Sequence, residues 1–273
     1  MRLLLALPIL VFWLSACNTI TVDRYCYDTP QKQGWNACSR KTASDSFLYA
    51  QMASNTYTVD DNSEWFQLGD SVKWEGPYFN DRIGFSYYLF KKYQDSDLVE
   101  LVISFRGTDF SSKEDWIQGN IGIRQRLAAL DVYERVSKTP DFSDIPIVVT
   151  GHSLGGALAT QVSLCYPVKA SYVFHSSPRF GKALCVDPLP STEPPRYSIV
   201  EKGEINKLLR LFGSEPTQKY TSLNCLRDRT PFGQHSMREF AKCLTWGASL
   251  DEENVSARAS LERNNISDEY PLD

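Results

Sequence analysis

Residues 147–159 read I-V-V-T-G-H-S-L-G-G-A-L-A. An apolar, β-branched run meets a serine between glycines, and a run of small and apolar residues follows. The pattern G-x-S-x-G at Gly151–Gly155 is that of a nucleophile elbow. A strand that turns sharply into a helix forces its serine into a strained conformation. It also brings strand and helix so close that the flanking positions must be small. The N-terminus of the following helix offers free N–H groups and a partial positive charge to a developing oxyanion. The chemistry this spacing suits is attack by Ser153 on an acyl carbon.

A nucleophilic serine needs a base, and the chain has 3 histidines. His152 adjoins the serine on the elbow and cannot swing round to its hydroxyl. His175 follows the next strand and precedes any acid placed by the order Ser, Asp/Glu, His of such hydrolases. His235, in F-G-Q-H-S-M-R-E-F just before a helix, is left as the base.

These groups need a scaffold. Apolar residues at helical spacing mark a helix over Ser44–Tyr57, with Ser44 or Asp45 as N-cap. The runs at 82–93 and 98–105 flank Q-D-S-D and read as a hairpin of two strands. Helix and strand then alternate: a helix over Asp115–Ser137, the strand I-P-I-V-V-T, a helix from Leu154 to Tyr166, and the strand A-S-Y-V-F-H-S. After a proline-rich connection come the strand R-Y-S-I-V-E, a helix near Ile205–Phe212 and a last helix from Ser236 to Thr245. This alternation, with near-continuous apolar strands, predicts an α/β fold with a mostly parallel sheet covered by helices on both faces.

The first residues, M-R-L-L-L-A-L-P-I-L-V-F-W-L-S-A-C, put Arg2 before an apolar stretch from Leu3 to Leu14, as in a secretory signal. The stretch is shorter than the ~20 residues that span a bilayer. Leu14-Ser15-Ala16-Cys17 resembles the lipobox of bacterial lipoproteins, which implies acylation of Cys17 and anchoring to a membrane. By resemblance to sorted lipoproteins, Asn18 rather than Asp after the cysteine implies the outer membrane if the source is Gram-negative. The expected divisions are residues 1–16 as signal peptide, 17–43 as lipidated arm, 44–246 as catalytic domain, and 247–273 as a polar, loosely docked tail. Of 7 cysteines, six remain beside Cys17, and pairing each with its neighbour gives 26–38, 165–185 and 225–243. The net charge of −4, without a Lys/Arg cluster, argues against a nucleic-acid partner. No protein partner is inferable, and the chemistry calls for no metal or cofactor.

I-S-F-R-G-T-D-F (103–110) with Asp115-Trp116, G-H-S-L-G-G-A-L-A, and S-S-P-R-F-G (176–181) together resemble the class 3 lipases, fungal-type members of the α/β-hydrolases. The resemblance covers residues 44–246. It implies an α/β-hydrolase fold and an oxyanion hole from the N–H groups of Thr108 and Leu154, with the Thr108 hydroxyl assisting. It agrees with Gly107 as a strand-end glycine that lets backbone approach the site. The family's acid follows a strand in the order Asn, two residues, Asp; here Glu201 falls at the Asn position and Glu204 at the Asp position. Glu204 is thus the expected acid, with Asp228, Asp187 and Glu201 as alternatives. Arg106 is assigned a structural role. Phe110–Gly119 suits a short amphipathic lid, although Trp116 fits a core position equally. The activity implied is hydrolysis of lipid carboxylic esters, and a membrane anchor makes phospholipid or lysophospholipid at least as good a substrate as acylglycerol.

Overall fold

A computed structural model of the protein describes residues 23–27, 35–58, 65–107, 119–178, 180–185, 189–202, 218–225 and 236–267, with backbone alone at 23–27, 119–121 and 182. In chain order the elements are β1 (Asp23–Tyr27), α1 (Ala37–Asn55), β2 (Val72–Asn80), β3 (Phe85–Gln94), β4 (Asp97–Phe105) and α2 (Gly119–Ser137). Then come β5 (Ile147–His152), α3 (Leu154–Cys165), β6 (Ala170–Phe174), β7 (Arg196–Glu201), β8 (Lys219–Leu223), α4 (Met237–Ser249) and α5 (Val255–Arg263).

The strands form one sheet in the order β1-β8-β7-β6-β5-β4-β3-β2. From β1 through β4 every neighbouring pair is parallel, while β4–β3 and β3–β2 are antiparallel. The expected hairpin is β3–β4. Asp95 and Ser96, at φ 48° and 76°, make its two-residue turn, the left-handed pair that matches strand twist.

Successive residues of the central strands enter opposite cores. Val102 and Val148 join α1, α4 and α5 on one face. Leu101, Ile103, Phe105, Ile147 and Val149 join α2 and α3 on the other. Burial on both faces is why β4 and β5 carry unbroken apolar runs instead of alternation. The sheet is thus mostly parallel and covered on both sides, as expected.

Several boundaries differ from expectation. The first helix begins at Ala37, where Asn36 accepts from the Ser39 N–H at 2.8 Å. β1, in the expected arm, pairs with β8. Gly247 onward is not loosely docked throughout, because α5 closes against the core. The buried Gln51 amide of α1 donates to Thr245 Oγ1 of α4 and Ser260 Oγ of α5, both at 2.8 Å. The helix expected near Ile205–Phe212 lies outside the described residues.

Disulfides join Cys165 to Cys185 and Cys225 to Cys243, as expected, and Cys38 is disulfide-bonded as well. Among the described residues no helix is long and apolar enough to cross a membrane.

Candidate active site

Ser153 sits between the carboxyl end of β5 and the first turn of α3, at φ 55° and ψ −121°. For a residue with a Cβ this is a sparsely populated conformation, costing on the order of 1–3 kcal/mol unless its surroundings impose it. Here they do. The Ser153 N–H donates to Phe174 O at 3.0 Å, and its carbonyl accepts from Ser177 N–H at 3.0 Å and Ala157 N–H at 3.2 Å. The residue occupies the N-cap position of α3, where a serine hydroxyl would ordinarily bond the helix backbone. Its hydroxyl makes no capping bond. Backbone constraint therefore keeps the Oγ from being spent on the helix.

Close approach explains the small residues around it. A Cβ on Gly155 would lie 2.1 Å from Phe105 O, and one on Gly151 would lie 2.5 Å from the Gly155 carbonyl. Strand β4, the elbow and α3 meet with no room for a side chain. Leu154 opens α3, so its N–H is among those without a partner inside the helix.

The end of β4 is fixed to this junction through Tyr57, a residue the sequence reading did not single out. The Tyr57 hydroxyl shares a hydrogen bond with His152 Nδ1 at 2.8 Å. A Cβ added to Gly107 would fall 2.3 Å from that hydroxyl, 2.6 Å from His152 O and 3.4 Å from Ser153 Cβ. Three chain segments thus converge: the end of α1, the residue before Thr108, and the elbow. Arg106 lies over the Tyr57 ring, 5.7 Å from its centroid, which agrees with a structural role. No local pattern marks Tyr57, since its contact spans 95 residues. One residue on, Thr58 lines a cavity of about 370 Å³ with Trp65, Trp74 and Tyr88.

His175 is fully buried, at φ 45°. Its Nε2 accepts the Glu201 N–H at 2.9 Å, which puts the ring proton on Nδ1. Its ring packs on Phe240, 4.4 Å between centroids. Glu201, one of the alternative acids, is buried at the end of β7, and its carboxylate accepts the Cys225 N–H at 2.9 and 3.1 Å. It ties β7 to the residue that bonds Cys243. Of the expected site residues, Ser153 and Leu154 are placed side by side at the elbow. Thr108, Glu204, His235 and Cys17 lie outside the described residues, as do Asp187, Asp228 and the lid residues 110–118.

A mostly parallel sheet with a strained serine between strand and helix at its carboxyl edge is the arrangement of an α/β-hydrolase. The chain belongs to the phospholipase-like family described as the Tle-like phospholipase domain, whose model matches residues 32–177. It is a carboxylic ester hydrolase of the lipase/phospholipase kind. Among solved structures it is similar to the lipase of Rhizopus microsporus var. chinensis, at 18% identity over 74% of this chain and 83% of that one, with a TM-score of 0.49. It is also similar to the native Rhizomucor miehei lipase propeptide complex (15%, 82% and 85%, TM-score 0.46). The triacylglycerol lipase from Penicillium expansum is a third (15%, 68% and 81%, TM-score 0.46). No curated protein gives a significant sequence match.

Proposed function

We propose that the protein is a membrane-anchored serine esterase that hydrolyses acyl ester bonds of phospholipids or lysophospholipids through an acyl-serine intermediate. The observation that carries this reading is Ser153: a strained, backbone-tethered serine whose hydroxyl is not used as a cap.

In this mechanism Ser153 Oγ attacks the ester carbonyl carbon while His235 takes its proton. The carbonyl oxygen becomes an oxyanion, held by the N–H groups of Leu154 and Thr108. On collapse the C–O bond to the alcohol breaks, and the leaving alkoxide receives the proton from His235. Water then attacks the acyl-serine with His235 again as base, which releases the fatty acid and restores Ser153. Glu204 orients the imidazole and stabilises its protonated form; its extra methylene relative to aspartate asks only for a slightly different backbone position. Glu201 supports this choice indirectly, because its carboxylate is already engaged by the Cys225 N–H. The Cys225–Cys243 bridge covalently closes the stretch of sequence that carries His235.

Tyr57 acts as a positioning residue, setting the gap between the strand end that precedes Thr108 and the serine. The N-terminal pattern supports export, acylation at Cys17 and retention on a bacterial membrane, the outer one in a Gram-negative cell.

The test is turnover of defined phosphatidyl and lysophosphatidyl esters, with products identified by mass spectrometry. Release of free fatty acid, abolished in His235→Ala and strongly reduced in Glu204→Gln, is expected. Release of a phosphorylated headgroup instead, or full activity in both variants, contradicts the reading.

A further inference from the structure

Three aromatic rings, those of Trp65, Trp74 and Tyr88, line the cavity of about 370 Å³ beside Thr58. The Trp65 centroid lies 5.3 Å from that of Trp74, with the planes 41° apart. It lies 5.5 Å from that of Tyr88, with the planes 59° apart. Rings inclined in this way stand as walls round a volume and do not form one flat platform. The fold supplies each wall separately. Trp74 pairs with Phe90 across β2–β3 and so shares a sheet face with Phe90 and with Tyr88. That face packs on α1. Trp65 is held by its neighbour Phe66, whose N–H donates to Asn55 Oδ1 at 2.8 Å and whose carbonyl accepts from Asn55 Nδ2 at 3.0 Å, at the end of α1. The β2–β3 register shifts between Glu75 and Tyr78, and the residues so displaced, Gly76 and Pro77, complete the lining. Trp74 is 52% exposed, which leaves a large aromatic surface for a ligand to cover.

The cavity neighbours the elbow. Tyr88 pairs with Ser104, and Ser104 with Thr150, three residues before Ser153. Two strand spacings, about 10 Å, separate β3 from β5, a span on the scale of a glycerophosphate. Tyr57 bridges it, for it precedes Thr58 and its hydroxyl bonds His152. Chemistry then selects the ligand. Among the described residues that line the cavity none carries a charge, and Pro77 alone is aliphatic. Aromatic faces attract a cation through their quadrupole, whereas an acyl chain gains only contact area there. A primary ammonium would bring N–H donors, and this lining offers no carboxylate to receive them. A quaternary ammonium has no N–H to satisfy and is the ion that aromatic cages hold. The neighbouring charges are engaged outside the cavity. Arg238 lies over the Phe66 ring at 5.4 Å, Arg106 lies over the Tyr57 ring, and Arg263 donates to Gln67 O at 3.1 Å. Glu75 pairs with Leu89 on the opposite sheet face and is bound to Lys91.

We infer that the cavity walled by Trp65, Trp74 and Tyr88 receives the trimethylammonium group of a choline phospholipid whose ester carbonyl lies at Ser153. The three rings hold the cation, and the glycerophosphate spans the gap past Tyr57. The inference rests on the phospholipid-ester reading for the position of the ester and adds the headgroup, but one arm of its test does not depend on turnover.

The experiment uses the full chain and two readouts. The first is kcat/KM on phosphatidylcholine, phosphatidylethanolamine and phosphatidylglycerol with the same short acyl chains, each dispersed as monomers. Phosphatidylcholine is expected to be preferred about tenfold. Trp74→Leu keeps an apolar contact but loses the π face, and should bring that preference close to unity. Trp74→Tyr should retain most of it. The second readout is saturation-transfer NMR of the methyl protons of free phosphocholine. Saturable binding is expected in the parent, lost in Trp74→Leu, and absent for the neutral isostere in which carbon replaces the nitrogen. Headgroup-indifferent turnover without phosphocholine binding overturns the inference and leaves the esterase reading standing. Selectivity that survives Trp74→Leu, or equal binding of the neutral isostere, overturns it in favour of an apolar pocket. Headgroup-indifferent turnover by a protein that does bind phosphocholine also overturns it, and would assign the cavity to a soluble choline compound. Phosphocholine bound through Trp74 in a protein that cuts none of the three lipids would sink the esterase reading and leave the quaternary-ammonium site standing.

Discussion

The two ends of the same parallel strands are built on opposite principles. At the carboxyl end, Gly107, Gly151 and Gly155 bring β4, β5 and α3 into contact, and Ser153 is held at positive φ. At the amino end, Glu100 of β4 is 2% exposed and ion-paired to Lys92 at 2.7 Å and to Lys169 at 2.5 Å. The Tyr49 hydroxyl donates to the same carboxylate at 2.8 Å. Beyond it Tyr49, Tyr172 and Tyr197 stack, with centroids 4.4 and 4.7 Å apart. One end stores backbone strain with minimal side chains; the other satisfies a buried charge with long ones. Strain is placed where the proposed reaction needs a presented hydroxyl, and the satisfied cluster anchors the strands that impose that strain.

This contrast is broken most severely at the crowded end. Gly155→Ala, with its Cβ against Phe105 O, must separate β4 from α3. Misplacement on the order of 1 Å costs about hundredfold in rate, so esterase activity should fall at least that far, with stability lower by about 1–3 kcal/mol. Activity within threefold of the parent would show that the close approach is dispensable.

At the satisfied end, Glu100→Ala leaves two lysines without their carboxylate. Breaking a buried pair costs about 3–5 kcal/mol, and the half-exposed Lys169 puts the expected loss near about 3 kcal/mol. Denaturant midpoints should record that loss. Fluorophosphonate labelling of Ser153, well below the melting temperature, should be unchanged. A loss of labelling without a loss of stability would erase the distinction between the ends.

Tyr57→Phe is the finer probe of the active end. It removes the hydroxyl shared with His152 while leaving the ring under Arg106. We expect kcat to fall about tenfold with KM little changed, matching about 1.4 kcal/mol of lost transition-state stabilisation. Equal changes in Tm and KM with kcat preserved would make Tyr57 a packing residue only.

The smallest effect is in pH dependence. Burial opposes ionisation of Glu100, but Lys92, Lys169 and the Tyr49 hydroxyl outweigh it and hold its pKa below the ordinary glutamate value. A depressed folded-state pKa adds stability above the unfolded-state value, and that addition fades as pH falls through the folded one. The parent should therefore lose stability more steeply than Glu100→Gln on acidification below the ordinary carboxylate range. Parallel urea-denaturation curves against pH would refute this.

What could be read from the chain follows the same division. The β3–β4 hairpin, β5, the elbow, α3, β6 and β7 are legible because local pattern and burial agree, as in I-V-V-T-G-H-S-L-G. β2 was not legible. V-K-W-E-G-P-Y-F-N holds a glycine and a proline, and its side chains are mostly exposed because it is an edge strand. α5 was missed because V-S-A-R-A-S-L-E-R is polar, and it buries small groups, Ala257 and Ser260, beside Leu261. At the site, the serine was legible because its conformation demands glycines nearby in sequence. Tyr57 was not, since its role exists only where α1 meets the elbow.

The central claim is that Ser153 is the nucleophile. Incubation of the folded protein with a fluorophosphonate probe, followed by peptide mass spectrometry, tests it most directly. The account predicts one covalent adduct on Ser153, formed rapidly, absent in Ser153→Ala and nearly absent in His235→Ala. A well-folded parent that takes up no label, or takes it on a serine other than Ser153, would contradict it.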